Sequence, residues 1–219
     1  MIKVAMSLIY RILFGITLLL LYTSNPQADP PVFDLEQTKA CEATLHSLGV
    51  KFKLNAAIDD GDGCGSPRPL NIKSLKGGIK IKSDTSVNIR CETALALASW
   101  VSQVVTPSAK LHLDAKPTTI YLSTTYKCRH RNGNVNAKIS EHAYANAIDF
   151  LGVGFDNGES MKVMIRDGDS DATRAFQAAI RGGSCAYFTT VIGPMTNDYH
   201  SDHLHLDLAE RKGGYRLCE

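Results

Sequence analysis

Three histidines stand within six residues near the end of the sequence, at His200, His203 and His205. Alternate residues of a β-strand share one face of the sheet, so an extended run here points His203, His205 and Asp207 one way and the intervening leucines into the core. A half-apolar strand with two imidazoles on its open face is a rigid support for a metal ion. We interpret the cluster as a metal or catalytic site; the alternative is an incidental polar strand edge.

A second candidate segment places His142 and Asp149 seven residues apart. In an α-helix that spacing is a rise of about 10 Å. The two side chains would then approach one metal from nearly opposite sides, which tetrahedral zinc with bonds of roughly 2.0–2.2 Å does not allow. The sequence therefore predicts that the chain folds back through small Ala143, Ala145 and Ala147 and delivers Asp149 at the start of a strand. Two histidines and one carboxylate would leave a fourth zinc position for water, as in a catalytic site.

Both segments carry a family resemblance. The pattern Ser140-x-His142-x6-Asp149 with a later His203-x-His205 resembles the zinc peptidases that include lysostaphin-type enzymes, D-Ala-D-Ala dipeptidases and the penicillin-insensitive murein endopeptidase. More specifically, the runs Ser-Glu-His-Ala-x-x-Asn-Ala-Ile-Asp and His-x-Asp-His-x-His-Leu-Asp-Leu-Ala resemble the bacterial extensin-like C-terminal domain family. The resemblance covers roughly 41–218, and it also includes Tyr126-x-Cys128-Arg129, Cys185-x-x-Phe188 and a cysteine near the C-terminus.

The resemblance implies the roles of individual residues. The zinc ligands would be His142, Asp149 and His205. His203 would lie beside the metal as a non-ligand that orients water or stabilises the oxyanion. The fold that the resemblance implies is a zinc-peptidase core like that of the D-Ala-D-Ala metallopeptidases.

Two further catalytic residues follow from the same resemblance. His200 matches the first histidine of the murein endopeptidase's His-x-x-His-x-His pattern. Arg129 falls where related carboxypeptidases and dipeptidases have an arginine near the scissile carbonyl, so it would neutralise charge on the substrate.

The sequence departs from these relatives in two respects. Ala145 stands where many relatives have glycine, and a positive φ there would be strained for alanine. The second motif lacks the glutamate base of the dipeptidases, so we expect His203, or else Asp202, to act as the general base. By strand alternation Asp202 points away from the metal, while Asp207 could orient a ligand imidazole.

Hydrophobic periodicity and turn residues predict an α+β fold, a mainly antiparallel sheet with flanking helices. The predicted helices are 34–47, 91–105 with Pro107 beyond its end, and 171–181 with a stop at Gly182-Gly183. A Gly- and Asp-rich loop is expected at 59–65. The predicted strands are 67–72, 78–81, 118–125, 149–155, 160–165, 188–192 and 203–208.

The N-terminus predicts export. Residues 12–22 form an apolar run of 11 residues without a charge, followed by a polar, proline-rich stretch, which is typical of a signal peptide and short for a membrane span of about 20 residues. We expect 1–28 to be a signal peptide or an uncleaved N-terminal anchor, and 33–219 to be one extensin-like zinc peptidase domain. Six cysteines without a Cys-x-x-Cys pair predict three disulfides, with about fifteen pairings open.

These features predict a periplasmic or cell-envelope zinc hydrolase that acts on peptidoglycan peptides. The net charge of +2 and the lack of a basic run argue against a nucleic-acid partner. Membrane contact is expected only through an uncleaved anchor. The alternatives are a non-catalytic peptidoglycan-binding or scaffold module with the peptidase fold, and a zinc hydrolase that acts on another exported peptide.

Overall fold

The structure is a computed structural model, and it describes residues 31–219. The predicted signal peptide or anchor at 1–28 lies outside these residues. Within them, no helix is both long enough and apolar enough to cross a membrane.

The first two helical regions lie in the N-terminal half of the described residues. Helix α1 (Leu35–Ser47) is capped by the Asp34 carboxylate, which accepts a hydrogen bond from the Gln37 amide. Helix α2 (Cys91–Trp100) continues through a π-helical turn (Val101–Val105) into α3 (Thr106–Leu113). The prediction that Pro107 lies beyond the helix is therefore wrong. Pro107 sits in the first turn of α3, where its missing N–H is tolerated.

Helix α4 (Asp171–Ser184) begins at Ser170, whose hydroxyl accepts a hydrogen bond from the Thr173 amide. The predicted stop at Gly182-Gly183 is wrong, because the helix continues to Ser184. The glycine serves helix packing instead: a Cβ on Gly183 would lie 2.5 Å from Cγ1 of Val104.

The described residues contain eleven strands: β1 (Lys51–Leu54), β2 (Ile58–Gly61), β3 (Cys64–Ser66), β4 (Leu70–Ser74), β5 (Lys80–Ser83), β6 (Pro117–Leu122), β7 (Ala147–Phe155), β8 (Ser160–Lys162), β9 (Thr190–Ile192), β10 (Leu204–Asp207) and β11 (Leu217–Cys218). The predicted loop at 59–65 is instead a short antiparallel hairpin, β2–β3. Its polar, glycine-rich sequence lacks the apolar alternation that identifies a strand.

Nine strands form one sheet in the order β1-β4-β5-β6-β7-β10-β9-β11, with β8 paired to β7. Most neighbours are antiparallel, as predicted, but β5–β6 and β9–β11 are parallel, so the sheet is mixed. The connection from β5 to β6 contains α2 and α3, and a long crossover of this kind is what permits a parallel pair.

The main core lies between one face of the sheet and the helices. The Trp100 ring meets Phe150 edge-on at 4.9 Å between centroids, and its indole N–H donates to the Ile180 carbonyl. A bulge in β7 makes Leu151 an extra residue, since Tyr121 pairs with Gly152 while its neighbour pairs with Phe150. The bulge keeps apolar side chains on the core face on both sides of it. The opposite face of the sheet carries the polar residues of the candidate site.

All six cysteines form disulfides, which confirms the predicted number. The pairs are Cys41–Cys91, Cys64–Cys128 and Cys185–Cys218. Disulfides persist in oxidising compartments, so this pattern suggests an extracytoplasmic protein.

Candidate metal centre

A tight turn positions His142. Residues Glu141–Tyr144 form a 3-10 turn, and the Ser140 hydroxyl accepts a hydrogen bond from the His142 amide. The turn ends at Ala145, which adopts a left-handed conformation with φ 53° and is fully buried. The predicted fold-back is confirmed, and the strain expected at Ala145 falls at the residue that reverses the chain.

Two paired strands position the other two candidate ligands. In the antiparallel ladder of β7 and β10, Asp149 lies directly opposite His205. Their neighbours Phe150 and Leu204 pair on the core face and are buried. Strand alternation then places Asp149 and His205 together on the open face.

Three ligand atoms converge on one point. His142 Nε2, Asp149 Oδ1 and His205 Nδ1 are each 3.1 Å from the other two. Ligands at about 2.05 Å from a tetrahedral zinc would lie about 3.3 Å apart. The three residues therefore form a group that could hold a metal ion, and the spacing fits an ion of that size.

The outer ring nitrogens also have partners. His205 Nε2 lies 3.1 Å from Asp207 Oδ2, and His142 Nδ1 lies 3.5 Å from the Thr125 carbonyl oxygen. Asp207 is itself held by the Thr190 hydroxyl and by the Ala209 amide at 2.9 Å. With an N–H directed at each outer acceptor, both imidazoles present lone pairs to the centre, the orientation that metal-binding histidines require.

The charges in this buried group favour a cation. Burial would raise the pKa of Asp149, but hydrogen bonds to His142 and His205 hold it below its usual range. Burial would lower the pKa of His205, yet hydrogen bonds to Asp149 and Asp207 raise it to about 9. Burial lowers the pKa of His142. Two buried carboxylates thus require a positive charge between them, either a proton on His205 or a metal ion that replaces it.

His203 stands beside the three ligands. Its Nε2 lies 3.4 Å from Asp149 Oδ1, and its Nδ1 lies 2.8 Å from Asp202 Oδ1. Asp202 thus selects the tautomer of the His203 ring. An Nδ1–H that donates to the Asp202 carboxylate leaves the Nε2 lone pair directed at the site. Asp202 and His203 both precede β10, so the strand alternation used to predict the direction of Asp202 does not reach it.

His200 completes the histidine cluster. Its ring centroid lies 5.3 Å from that of His203 and 5.8 Å from that of His205. Burial, with the neighbouring histidines, lowers the pKa of His200 to about 4, so it is neutral at pH 7. Its Nδ1 lies 2.7 Å from the Asn197 side-chain oxygen, an arrangement that leaves Nε2 as a hydrogen-bond acceptor.

Arg129 contacts the turn before His142 through its backbone. Its carbonyl accepts a hydrogen bond from the Ser140 amide at 3.0 Å, just before the turn that carries His142. Its charge contributes to the lowered pKa of His142 and of His200. The neighbouring Cys128 ties this loop to strand β3.

Sequence reasoning missed two supports of the site. Thr125 contributes a backbone carbonyl, which no residue type signals. Buried Glu141 accepts a hydrogen bond from the Asn146 side chain at 2.9 Å and so closes the turn around His142. The motif Ser-Glu-His-Ala-x-x-Asn contains Glu141 and Asn146, and the spacing of these two residues was the available signal.

The fold and the site define an α+β protein with a buried His-Asp-His group on the open face of its sheet. The chain belongs to the family described as extensin-like protein C-terminus, whose model matches residues 39–219. No curated protein and no solved structure matches the chain.

Proposed function

We propose that the protein is a zinc-dependent hydrolase that cleaves peptide bonds in peptidoglycan peptides. The observation that carries the proposal is the convergence of His142, Asp149 and His205, with two nitrogen donors, one oxygen donor and 3.1 Å between each pair. Two imidazoles and one carboxylate suit zinc better than calcium or magnesium, which prefer oxygen ligands. The disulfides are consistent with work in the cell envelope.

A three-residue ligand set supports catalysis better than a structural role. Structural zinc sites are closed by four protein ligands, whereas three leave a position for water or substrate. When bound, zinc would polarise the substrate carbonyl and lower the pKa of water to about 7.

His203 has the geometry of the general base. Its Nε2 faces the site while Asp202 holds the opposite nitrogen at 2.8 Å. In the proposed reaction Nε2 accepts a proton from the attacking water as the water oxygen bonds to the carbonyl carbon. The same nitrogen then donates a proton to the leaving amine as the carbon–nitrogen bond breaks.

Arg129 and His200 would bind the substrate around the reacting bond. The Arg129 guanidinium would neutralise charge that develops on the carbonyl oxygen or that a substrate carboxylate carries. Neutral His200, with Nε2 free to accept, would receive a hydrogen bond from a substrate N–H. Both assignments rest on the family resemblance.

The zinc content of the purified mature domain tests the metal site. We expect about one zinc per chain in the wild type and in His112→Ala, which removes a histidine on α3 outside the site. We expect no bound zinc in His205→Ala. A wild-type protein that holds no metal even after zinc is added back would contradict the proposal.

Digestion of purified peptidoglycan tests the reaction. We expect new amino termini in the soluble fragments, detected by mass spectrometry, from the wild type and not from His205→Ala. Casein serves as the comparison substrate. Cleavage of casein but not of peptidoglycan would indicate a zinc hydrolase that acts on other peptides. Zinc binding without cleavage of either substrate would indicate a non-catalytic binding module.

A further inference from the structure

Five exposed lysines lie on the face of the sheet that carries the metal centre. We call this set the lysine face, and it consists of Lys51, Lys53, Lys80, Lys82 and Lys162. They belong to strands β1, β5 and β8, so they come from three separate regions of the sequence.

The strand registers establish that the face is shared. Lys80 pairs with Thr119 and Lys82 with Tyr121 in the parallel ladder of β5 and β6. Tyr121 pairs in turn with Gly152, and Gly152 with Lys162. Paired residues point to the same side of a sheet. This side is opposite the buried Ile120, and it is the side on which Asp149 and His205 lie.

The edge strand extends the same row. Lys51 pairs with Ser74, and Ser74 pairs with Lys80. A register shift next to Lys51 preserves the face, because the following residue, Phe52, pairs with buried Ile72. With neighbouring strands about 4.8 Å apart, the row from β1 to β8 crosses about 24 Å of the sheet.

The positive charge of these lysines is not balanced within their strands. Strands β1, β4, β5, β6 and β8 contain no acidic residue, and none of the five lysines forms an ion pair with any residue of the described chain. Lysines on an edge strand can protect it from aggregation, which accounts for Lys51 and Lys53. Lys80 and Lys82 lie on an interior strand, where that explanation does not hold.

A cavity of about 330 Å³ lies beside Lys162 of the lysine face. Its lining includes Tyr121, which pairs with Lys82, and Asp202, whose carboxylate contacts His203. Gly152 also lines the cavity, and its lack of a side chain lets β8 approach β7, since a Cβ there would collide with the Met161 carbonyl oxygen.

We propose that the lysine face binds the carboxylate-bearing strands of peptidoglycan and guides them into the metal centre. This inference rests on the proposed function, since it takes the polymer to be the substrate of that centre. A row of separated ammonium groups matches a polymer whose carboxylates repeat along its length, and such a field concentrates the polymer at the face before any specific contact forms.

Sedimentation with purified peptidoglycan measures this binding without requiring catalysis. We expect the double variant Lys80→Gln/Lys82→Gln to bind roughly tenfold more weakly than the wild type in 50 mM salt, and the difference to shrink at high salt. The matched control is Lys39→Gln/Lys110→Gln, which removes the same charge from α1 and α3 and should bind like the wild type. Should the first variant misfold, Lys51→Gln/Lys53→Gln on the edge strand tests the same face.

Further arms separate this inference from the proposed function. The His205→Ala protein should still bind peptidoglycan, and the lysine variants should cleave a short soluble stem peptide at the wild-type rate. Equal binding by Lys80→Gln/Lys82→Gln and by the control would overturn the inference. Undiminished wild-type binding to peptidoglycan whose carboxylates have been amidated would also overturn it. So would lysine variants that lose binding to phosphatidylglycerol vesicles but bind peptidoglycan like the wild type.

Discussion

The metal centre and the lysine face share one side of one sheet but are built in opposite ways. In the centre, His142, Asp149 and Asp207 are buried, and each polar side chain has a named partner within about 3.5 Å. On the lysine face, the charged groups are exposed and have no carboxylate partner in the described chain. Of the two regions, only the centre has a disulfide beside it: Cys64–Cys128 joins β3 to the loop that carries Thr125 and Arg129.

The difference follows from what each region is proposed to do. A metal ion needs ligand atoms held to a few tenths of an ångström, and burial with an outer layer of hydrogen bonds provides that precision. Attraction of a charged polymer needs only the right sign of charge over a wide area, and flexible exposed lysines provide it. Variants around the metal centre test how strongly zinc binding, catalysis and stability depend on this fixed geometry.

The largest effect is expected from the disulfide near the centre. The double variant Cys64→Ser/Cys128→Ser releases the loop that carries Arg129 and the Thr125 carbonyl. It should lower the free energy of unfolding by about 4 kcal/mol, because a link across 64 residues no longer restricts the unfolded chain. Denaturant unfolding measures this loss, and a zinc titration should show weakened binding.

The control is Cys185→Ser/Cys218→Ser, whose bridge spans 33 residues and joins the end of α4 to β11. Its stability loss should be similar, at about 4 kcal/mol, while zinc affinity stays at the wild-type value in the folded protein. If both double variants lose zinc affinity equally, the centre has no local dependence on the Cys64–Cys128 bridge.

His203→Ala should reduce kcat for peptide cleavage by about 10²- to 10⁴-fold, since the proposed general base is removed. Zinc content should be unchanged, because His203 is not among the three converging ligands. The assay is steady-state kinetics on a soluble stem peptide, with zinc measured on the same preparation. A variant that retains the wild-type kcat would remove His203 from the mechanism.

Asp207→Asn should weaken zinc binding by about 10- to 100-fold. The neutral amide no longer supports the His205 ring with a carboxylate at 3.1 Å. Competition with a chelator measures the change. Asp202→Asn is the matched control, as its partner is His203, and its zinc affinity should not change; an equal loss in both would show that zinc affinity follows total charge rather than ligand orientation.

The smallest effect concerns the turn before β7. Ala145→Gly should be less destabilising than Ala147→Gly by about 1 kcal/mol, because glycine relieves the left-handed conformation only at position 145. Both alanines are fully buried, so each variant loses one buried methyl group. Thermal unfolding of the pair gives the difference directly, and equal losses would mean that φ 53° carries no strain.

Local sequence predicted several features of the fold correctly. Helix α1 was predicted at 34–47 from its apolar residues, and it spans Leu35–Ser47. The non-helical path from His142 to Asp149 follows from the geometry that tetrahedral coordination requires. Errors arose where a distant contact overrode a local signal. Gly183 marks close packing against Val104 rather than a helix end, and Pro107 is accommodated by the π turn before it.

The sequence by itself determined which residue types are available for the centre: histidines and carboxylates at spacings that exclude a helix, and an even number of cysteines. Only the tertiary structure decided which of them meet. The Thr125 carbonyl, the pairing of Cys64 with Cys128 and the alignment of Lys80 with the metal centre all depend on strand register and on the bulge at Leu151. Register is a property of paired strands distant in sequence, and a one-residue shift would move every side chain to the other face.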